Sequence, residues 1–415
     1  MVDANGNNGA HGRPDIERRP QTSEPLKRSA FRAMVQDFSP IWFSWCMNAG
    51  IIAILMHQLP YQFNGLPVLS TIAFMIDFVL FIMFSVVMLL RFAMFRGQPY
   101  NEICENIPDL GLLACWPIAW LTVTAFVSLI ISEAHWGSHA FTIVAYVMWW
   151  FGAAWVLSTA VFVLIIITRR HAIKDRSLPP MVFIPTVGVS TLATVGGLLS
   201  SFSSHISARM AVPVIIFSFW SVGVGIFLGL IIYTMIVHQL FAKGWPAPEQ
   251  SAGMFLLVGP MGQSAAALQL LGSAAHQYGR FKGYNKGTFL TETSAAPLEV
   301  ACILLAFLLS GMATIWLIVA FICMIERAVK KELSWTPAWN SAIFPVGTLI
   351  TSLSQFSIEM DSPFFRVMTA IGLVWLIILF FVNLGFTLWQ ISQGKLLIVK
   401  ENPRAKQELE QQKEQ

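Results

Sequence analysis

The sequence predicts an all-α integral membrane protein: ten transmembrane helices paired as five helical hairpins, with the odd helices around a central pore and the even helices outside. Three observations carry this prediction. Of the 415 residues, 56% are hydrophobic and only 12% are charged, and mean hydropathy is +0.65; this composition does not suit a water-soluble domain. Apolar runs of roughly 20 residues or more, enough to cross a hydrocarbon core, recur along the whole chain. Prolines fall within alternate runs and at the edges of the others. A β-barrel is excluded, because its strands would read as about 10 residues of alternating character.

The runs lie at about 39–59, 67–90, 110–132, 140–168, 182–203, 210–240, 251–275, 297–325, 338–357 and 364–392. The fourth, sixth and eighth are long enough to tilt or to extend beyond the bilayer. The first opens on FSPIWFSW with Pro40, and the third carries CWPIAWLTVT with Pro117. The fifth has IPTVGVSTLAT with Pro185, the seventh VGPMGQSAA with Pro260, and the ninth FPVGTLITS with Pro345. In the even runs Pro67, Pro213, Pro297 and Pro363 are expected at the starts, where proline is a good first-turn residue, and the fourth run has none. The pattern repeats at about 70–85 residues as a pair of helices, the odd member rich in Gly, Ser and Thr.

Residues 1–35 are polar and lack an apolar leader segment, so they read as a disordered cytosolic tail; residues 396–415 form a second, charged cytosolic tail. Between them, 36–395 is one membrane domain. With the amino terminus inside, 21 of the 26 Lys and Arg fall in the two tails and the inner loops. That bias predicts both termini in the cytosol. The basic residues are scattered over loops without a reading motif, which argues against nucleic acid as a partner. The five cysteines have no metal-ligand spacing, and their odd number argues against a disulfide framework. They are expected to be small buried hydrophobes, and neither a metal nor a cofactor is expected.

A proline inside a helix removes one backbone bond and kinks the segment. Freed carbonyls at membrane depth are tolerable only inside protein or beside a water-filled cavity. Five such helices with small and hydroxyl side chains therefore belong around a common axis, and five bulkier helices belong against lipid.

FSPIWFSWCMNAGIIAILMHQLPYQF, GPMGQS and FPVGTLITSLSQFSIEMDSPFFRV resemble the tellurite-resistance/dicarboxylate transporter family over about residues 35–395. That family includes slow anion channels, malate permease and fungal sulfite efflux pumps, and the last two stretches look most like the sulfite pumps. The chain departs from the family pattern at Met47, Asn48, Ala49 and Gly50, where Met-Gly-Thr-Gly is expected, and at Asp77, where Asn is usual. The resemblance implies a plasma-membrane transporter, a homo-oligomer (a trimer) with a pore in each protomer, and a gating phenylalanine on helix nine that corresponds to Phe344. Pro345, Gly347 and Thr348 flank that position.

The charges bear on the substrate. A dicarboxylate calls for Arg or Lys in its path, and no Lys or Arg lies deep inside an odd run. Thr186, Ser190, Thr191, Thr194, Gln263, Ser264, Thr348, Thr351 and Ser352 offer hydroxyl and amide groups that suit a small anion. This favours sulfite or bisulfite, with nitrate and chloride as other candidates, over the alternative of a C4-dicarboxylate (malate) permease. Asp77 is the clear mid-membrane carboxylate, either a structural hydrogen-bonding group or a proton site. Glu299 is expected in the first turn of helix eight. Gly225 and Gly229 make a small-residue face suited to close helix contact or to a subunit interface. An enzyme is not expected, because the chain has no His-rich cluster, no Gly-x-Ser-x-Gly and no paired intramembrane Asp.

Overall fold

A computed structural model describes residues 29–171 and 178–396. Ten helical segments in it are long and apolar enough to cross a membrane: Pro40–His57, Leu66–Met94, Ile107–Ile131, Ser138–Arg170, Pro180–Phe202, Ala208–Lys243, Pro248–Ala275, Glu292–Val329, Pro337–Glu359 and Pro363–Ser392. They are called spans one to ten below. The expected boundaries agree to within a few residues. A short helix, Ala30–Gln36, precedes span one, capped by the Ser29 side chain and with Ala33 and Val35 buried. It falls within the stretch expected as tail. The remainder of that tail, and all but the first residue of the carboxyl tail, lie outside the described residues.

Burial alternates along the chain. In the most apolar stretch of each odd span, 78 to 100% of residues are buried, against 22 to 39% in the even spans. The odd spans touch in sequence, one to three, three to five, five to seven and seven to nine, and span nine closes on span one. Each odd span also packs on the even span next in the chain. The result is an inner ring of five helices with five outer helices whose apolar side chains, such as Phe227, Leu308 and Phe381, face outward. Apolar surface on that scale belongs in lipid.

The odd spans are not single kinked α-helices. In span five the 3₁₀ segment Pro180–Phe183 runs into the α-helix Ile184–Phe202. In span seven the 3₁₀ segment Pro248–Val258 meets Gly259–Ala275, and in span nine Pro337–Ala342 meets Ile343–Glu359. Span one begins with a 3₁₀ turn, Pro40–Trp42. Span three is divided into Ile107–Leu112, Cys115–Phe126 and a π-turn, Val127–Ile131. Pro117, Pro185, Pro260 and Pro345 therefore stand in the first turn of their α segments. There a missing N–H leaves no helical bond unmade. The irregularity lies just before each proline, in tightly wound 3₁₀ backbone whose hydrogen bonds have poorer geometry.

Among the even spans, Pro67 and Pro363 occupy first turns as expected. Pro213 and Pro297 do not. Their helices begin earlier, at Ala208 and Glu292, so both prolines lie more than a turn inside. The same early start places Glu299 beyond the first turn, where its carboxylate meets His276 Nδ1 at 2.6 Å. All five cysteines are buried and free.

Candidate functional site

Two small cavities lie within the ring. The near cavity, toward the end where the odd spans begin, has a volume of about 20 Å³. Its wall includes Ser44 and Asn48 of span one, Cys115 of span three, Val187 of span five, Leu256 of span seven, and Asn340 and Pro345 of span nine. The far cavity, of about 10 Å³, is bordered by Ile51 and Ile54, Thr122, Thr191 and Thr194, Gln263 and Thr351. Each has room for about one water molecule, and all five odd spans contribute to both. Phe344 borders both cavities. The residue is 3% exposed.

The backbone at Phe344 is held from span one. The Phe344 N–H donates to Asn48 Oδ1 at 3.1 Å, and Asn48 Nδ2 donates to the Asn340 carbonyl at 3.1 Å. Span nine reaches span one closely through Gly347, where a Cβ would stand 2.6 Å from Ile51 Cγ1. It reaches span seven beside Gly262, where a Cβ would stand 2.7 Å from Thr348 Oγ1.

The hydroxyls expected to serve an anion divide into two groups. Thr191, Thr194 and Thr351 border the far cavity, but each hydroxyl proton is given to a carbonyl: Val187 at 2.8 Å, Gln263 at 3.1 Å and Gly347 at 3.0 Å. Thr122 does the same toward Ala119 at 2.8 Å. Thr186, Ser190, Ser264, Thr348 and Ser352 border neither cavity. Thr186 and Thr348 bond the carbonyls of Phe183 and Pro345 at 2.7 and 2.6 Å, inside the first turns of their helices. Ser190 pairs with Ser264 across spans five and seven at 3.0 Å. Ser352 meets Gln269 Oε1 at 2.8 Å and Ser310 Oγ at 2.9 Å, tying spans nine, seven and eight. Gln263 differs from all of these, because it lies in the far-cavity wall and its Oε1 is buried without a hydrogen-bond partner.

Asp77 of span two is fully buried beside Thr122, and a Cβ added to Gly50 would stand 2.7 Å from its Oδ2. It is thus one residue removed from the far cavity. The one buried cation among the described residues is Arg91, in the last turn of span two, held by Glu102 at 2.7 Å and the Gln36 carbonyl at 3.0 Å. No Lys or Arg borders either cavity. Gly225 and Gly229 pack inward, on Ser190 and Pro260 of the same chain, so that face is a contact within the protomer. Asn48, Thr122 and Asn340 were not foreseen as site residues. A lone carboxamide in so apolar a span was the available signal for Asn48.

Ten apolar spans, five of them gathered as broken helices in an inner ring around two small cation-free cavities, define a polytopic membrane protein. The chain belongs to the voltage-dependent anion channel (SLAC1) family, whose profile matches residues 37–388. It is similar to the sulfite efflux pump SSU1 of Trichophyton rubrum, 23% identical over 334 residues that cover 80% of this chain and 85% of the relative. It is also similar to the malic acid transport protein of Schizosaccharomyces pombe, 20% identical over 334 residues, covering 80% of this chain and 73% of that one. The uncharacterized transporter MJ0576 of Methanocaldococcus jannaschii is 24% identical over 363 residues, 84% of this chain and 91% of the relative. The protein is an anion transporter of that family.

Proposed function

We propose that this transporter exports sulfite or bisulfite across the plasma membrane, with both termini in the cytosol. The path runs from the near cavity past the ring of Phe344 to the far cavity, and a homo-oligomer, a trimer, carries one such path in each protomer. The observation that carries the reading is the pair of cavity walls, which hold no Lys or Arg and include the side chain of Gln263 in the far one. A C4 dianion would have to be desolvated there without a guanidinium or ammonium to receive it. A small anion can shed part of its water against amide and hydroxyl dipoles. Four sulfite efflux pumps among the similar proteins support the same choice.

Phe344 is the constriction in this reading. An apolar ring between two water-sized cavities excludes a hydrated anion, because water is lost there without replacement by donors. The test is flux through purified protein in liposomes, comparing sulfite, malate, nitrate and chloride with and without a pH gradient. Sulfite flux with no saturable malate uptake is expected. Saturable malate transport without sulfite flux would overturn the assignment in favour of a dicarboxylate permease.

A further inference from the structure

Asn48 is fully buried in a largely apolar helix, and its carboxamide enters the joint of span nine. In a continuous α-helix the N–H of residue 344 would bond the carbonyl of residue 340 directly. Here the 3₁₀ segment Pro337–Ala342 ends between them, and the Asn340 carbonyl takes the N–H of Ile343 instead. Asn48 bridges the two groups, accepting from Phe344 N–H and donating to Asn340 carbonyl, each at 3.1 Å. The partners fix the orientation of the amide, since only its oxygen can face an N–H and only its NH₂ can face a carbonyl. The joint is held from a second side. Asn383 Nδ2 of span ten donates to Asn340 Oδ1 at 3.3 Å, and Trp335 Nε1 donates to Asn383 Oδ1 at 3.3 Å.

We propose that Asn48 is the latch of the constriction: a positioning residue that keeps the Phe344 ring between the two cavities by clamping the backbone of Phe344 itself. The inference rests on the reading of Phe344 as the narrow point. Its physical basis is the helical geometry. A 3₁₀ turn has 3.0 residues and an α turn 3.6, so each residue rewound from one to the other rotates the rest of the helix by about 20°. Without Asn48, Phe344 N–H and the Asn340 carbonyl lack their bridging partner, and the relief open to them is to bond each other. That rewinding turns Phe344 away from its present position. With Asn48 in place both groups are satisfied in the broken geometry, and the break persists.

The test is a cycle of variants in liposomes loaded with sulfite and, in parallel, with chloride. Asn48→Leu keeps the bulk and removes both hydrogen bonds, and Asn48→Ala removes them without the branched side chain. Each is made alone and combined with Phe344→Ala, and thermal stability is measured alongside. Loss of the latch is expected to raise flux roughly three- to tenfold in the wild-type background and to add nothing once Phe344 is Ala. Hydrogen exchange of the segment 340–348 is expected to quicken in both Asn48 variants, a readout that does not depend on the choice of anion. Higher flux in Phe344→Ala with wild-type flux in both Asn48 variants would overturn the latch and leave the constriction standing. An equal rise with and without the Phe344 ring would make Asn48 a piece of cavity wall and overturn it too. Wild-type flux in Phe344→Ala would remove the constriction, and the latch with it.

Discussion

Gly50 of span one backs directly onto Asp77 of span two, so closely that a Cβ at Gly50 would stand 2.7 Å from Asp77 Oδ2 and 2.5 Å from Thr122 Cβ. Three spans converge at this point, and only a hydrogen fits between them. Gly50→Ala forces at least one to move. The expected cost is that of overpacking a close-packed interior, about 1–3 kcal/mol, read as a lower melting temperature in detergent. An unchanged melting temperature would mean that the three spans yield freely.

The same contact makes a prediction for Asp77. It is fully buried, and no cation among the described residues reaches it; Arg91 is engaged in the last turn of the helix. Neither carboxyl oxygen has a hydrogen-bond partner, so a group in that setting acts through shape, and Asn is nearly isosteric with it. Asp77→Asn should retain assembly, flux and the response of flux to a pH gradient. Asp77→Ala should lose stability, because it opens a cavity where three helices meet. Loss of the pH-gradient response in Asp77→Asn alone would instead assign the carboxyl a proton-carrying role.

Tyr233 of span six hydrogen-bonds the Leu257 carbonyl at the end of the long 3₁₀ segment of span seven, and its ring stacks on Trp316 at 5.4 Å. Tyr233→Phe keeps the stack and leaves the carbonyl without that donor. The loss should be about 1–3 kcal/mol, the cost of a buried polar group left unpaired. Thermal unfolding of the purified variant measures it, and no shift would show that another donor replaces the phenol.

Gln263 is predicted to be a selectivity residue, because the threonine hydroxyls around it are bonded to backbone carbonyls. Gln263→Leu preserves approximate volume and removes the carboxamide. Anion flux should fall, and discrimination between sulfite and chloride should weaken, with little change in stability. Flux ratios in liposomes check this, and an unchanged ratio would mean that recognition lies elsewhere.

Much of the fold was legible in the sequence because the bilayer imposes it. Length and apolarity fixed ten spans, and the odd–even contrast in Gly, Ser, Thr and proline anticipated the odd–even contrast in burial. The joints were less legible. Pro185, Pro260 and Pro345 suggested kinks at the prolines, whereas the backbone departs from α-helix just upstream, where Val258 and Ala342 carry no distinctive signal. Nor does a hydroxyl in the sequence reveal whether its proton is free. Thr191 faces a cavity and Ser190 faces Ser264, one residue apart. Asn48 went unrecognised because its partners lie nearly three hundred residues away in sequence. Gly225 and Gly229 are correctly a close-contact face, but only three-dimensional packing shows that the contact is internal.

The central claim is that Phe344 narrows the anion path, and the most direct test is flux through purified, correctly assembled Phe344→Ala protein in liposomes. The ring borders two cavities, so its removal joins them. Anion flux should rise and discrimination among anions should fall. The stability loss should be smaller than the roughly 3–5 kcal/mol of a well-packed core Phe→Ala, because a ring between voids has fewer partners to lose. Unchanged or lower flux with a loss of stability in that full range would contradict the account and make Phe344 an ordinary core residue.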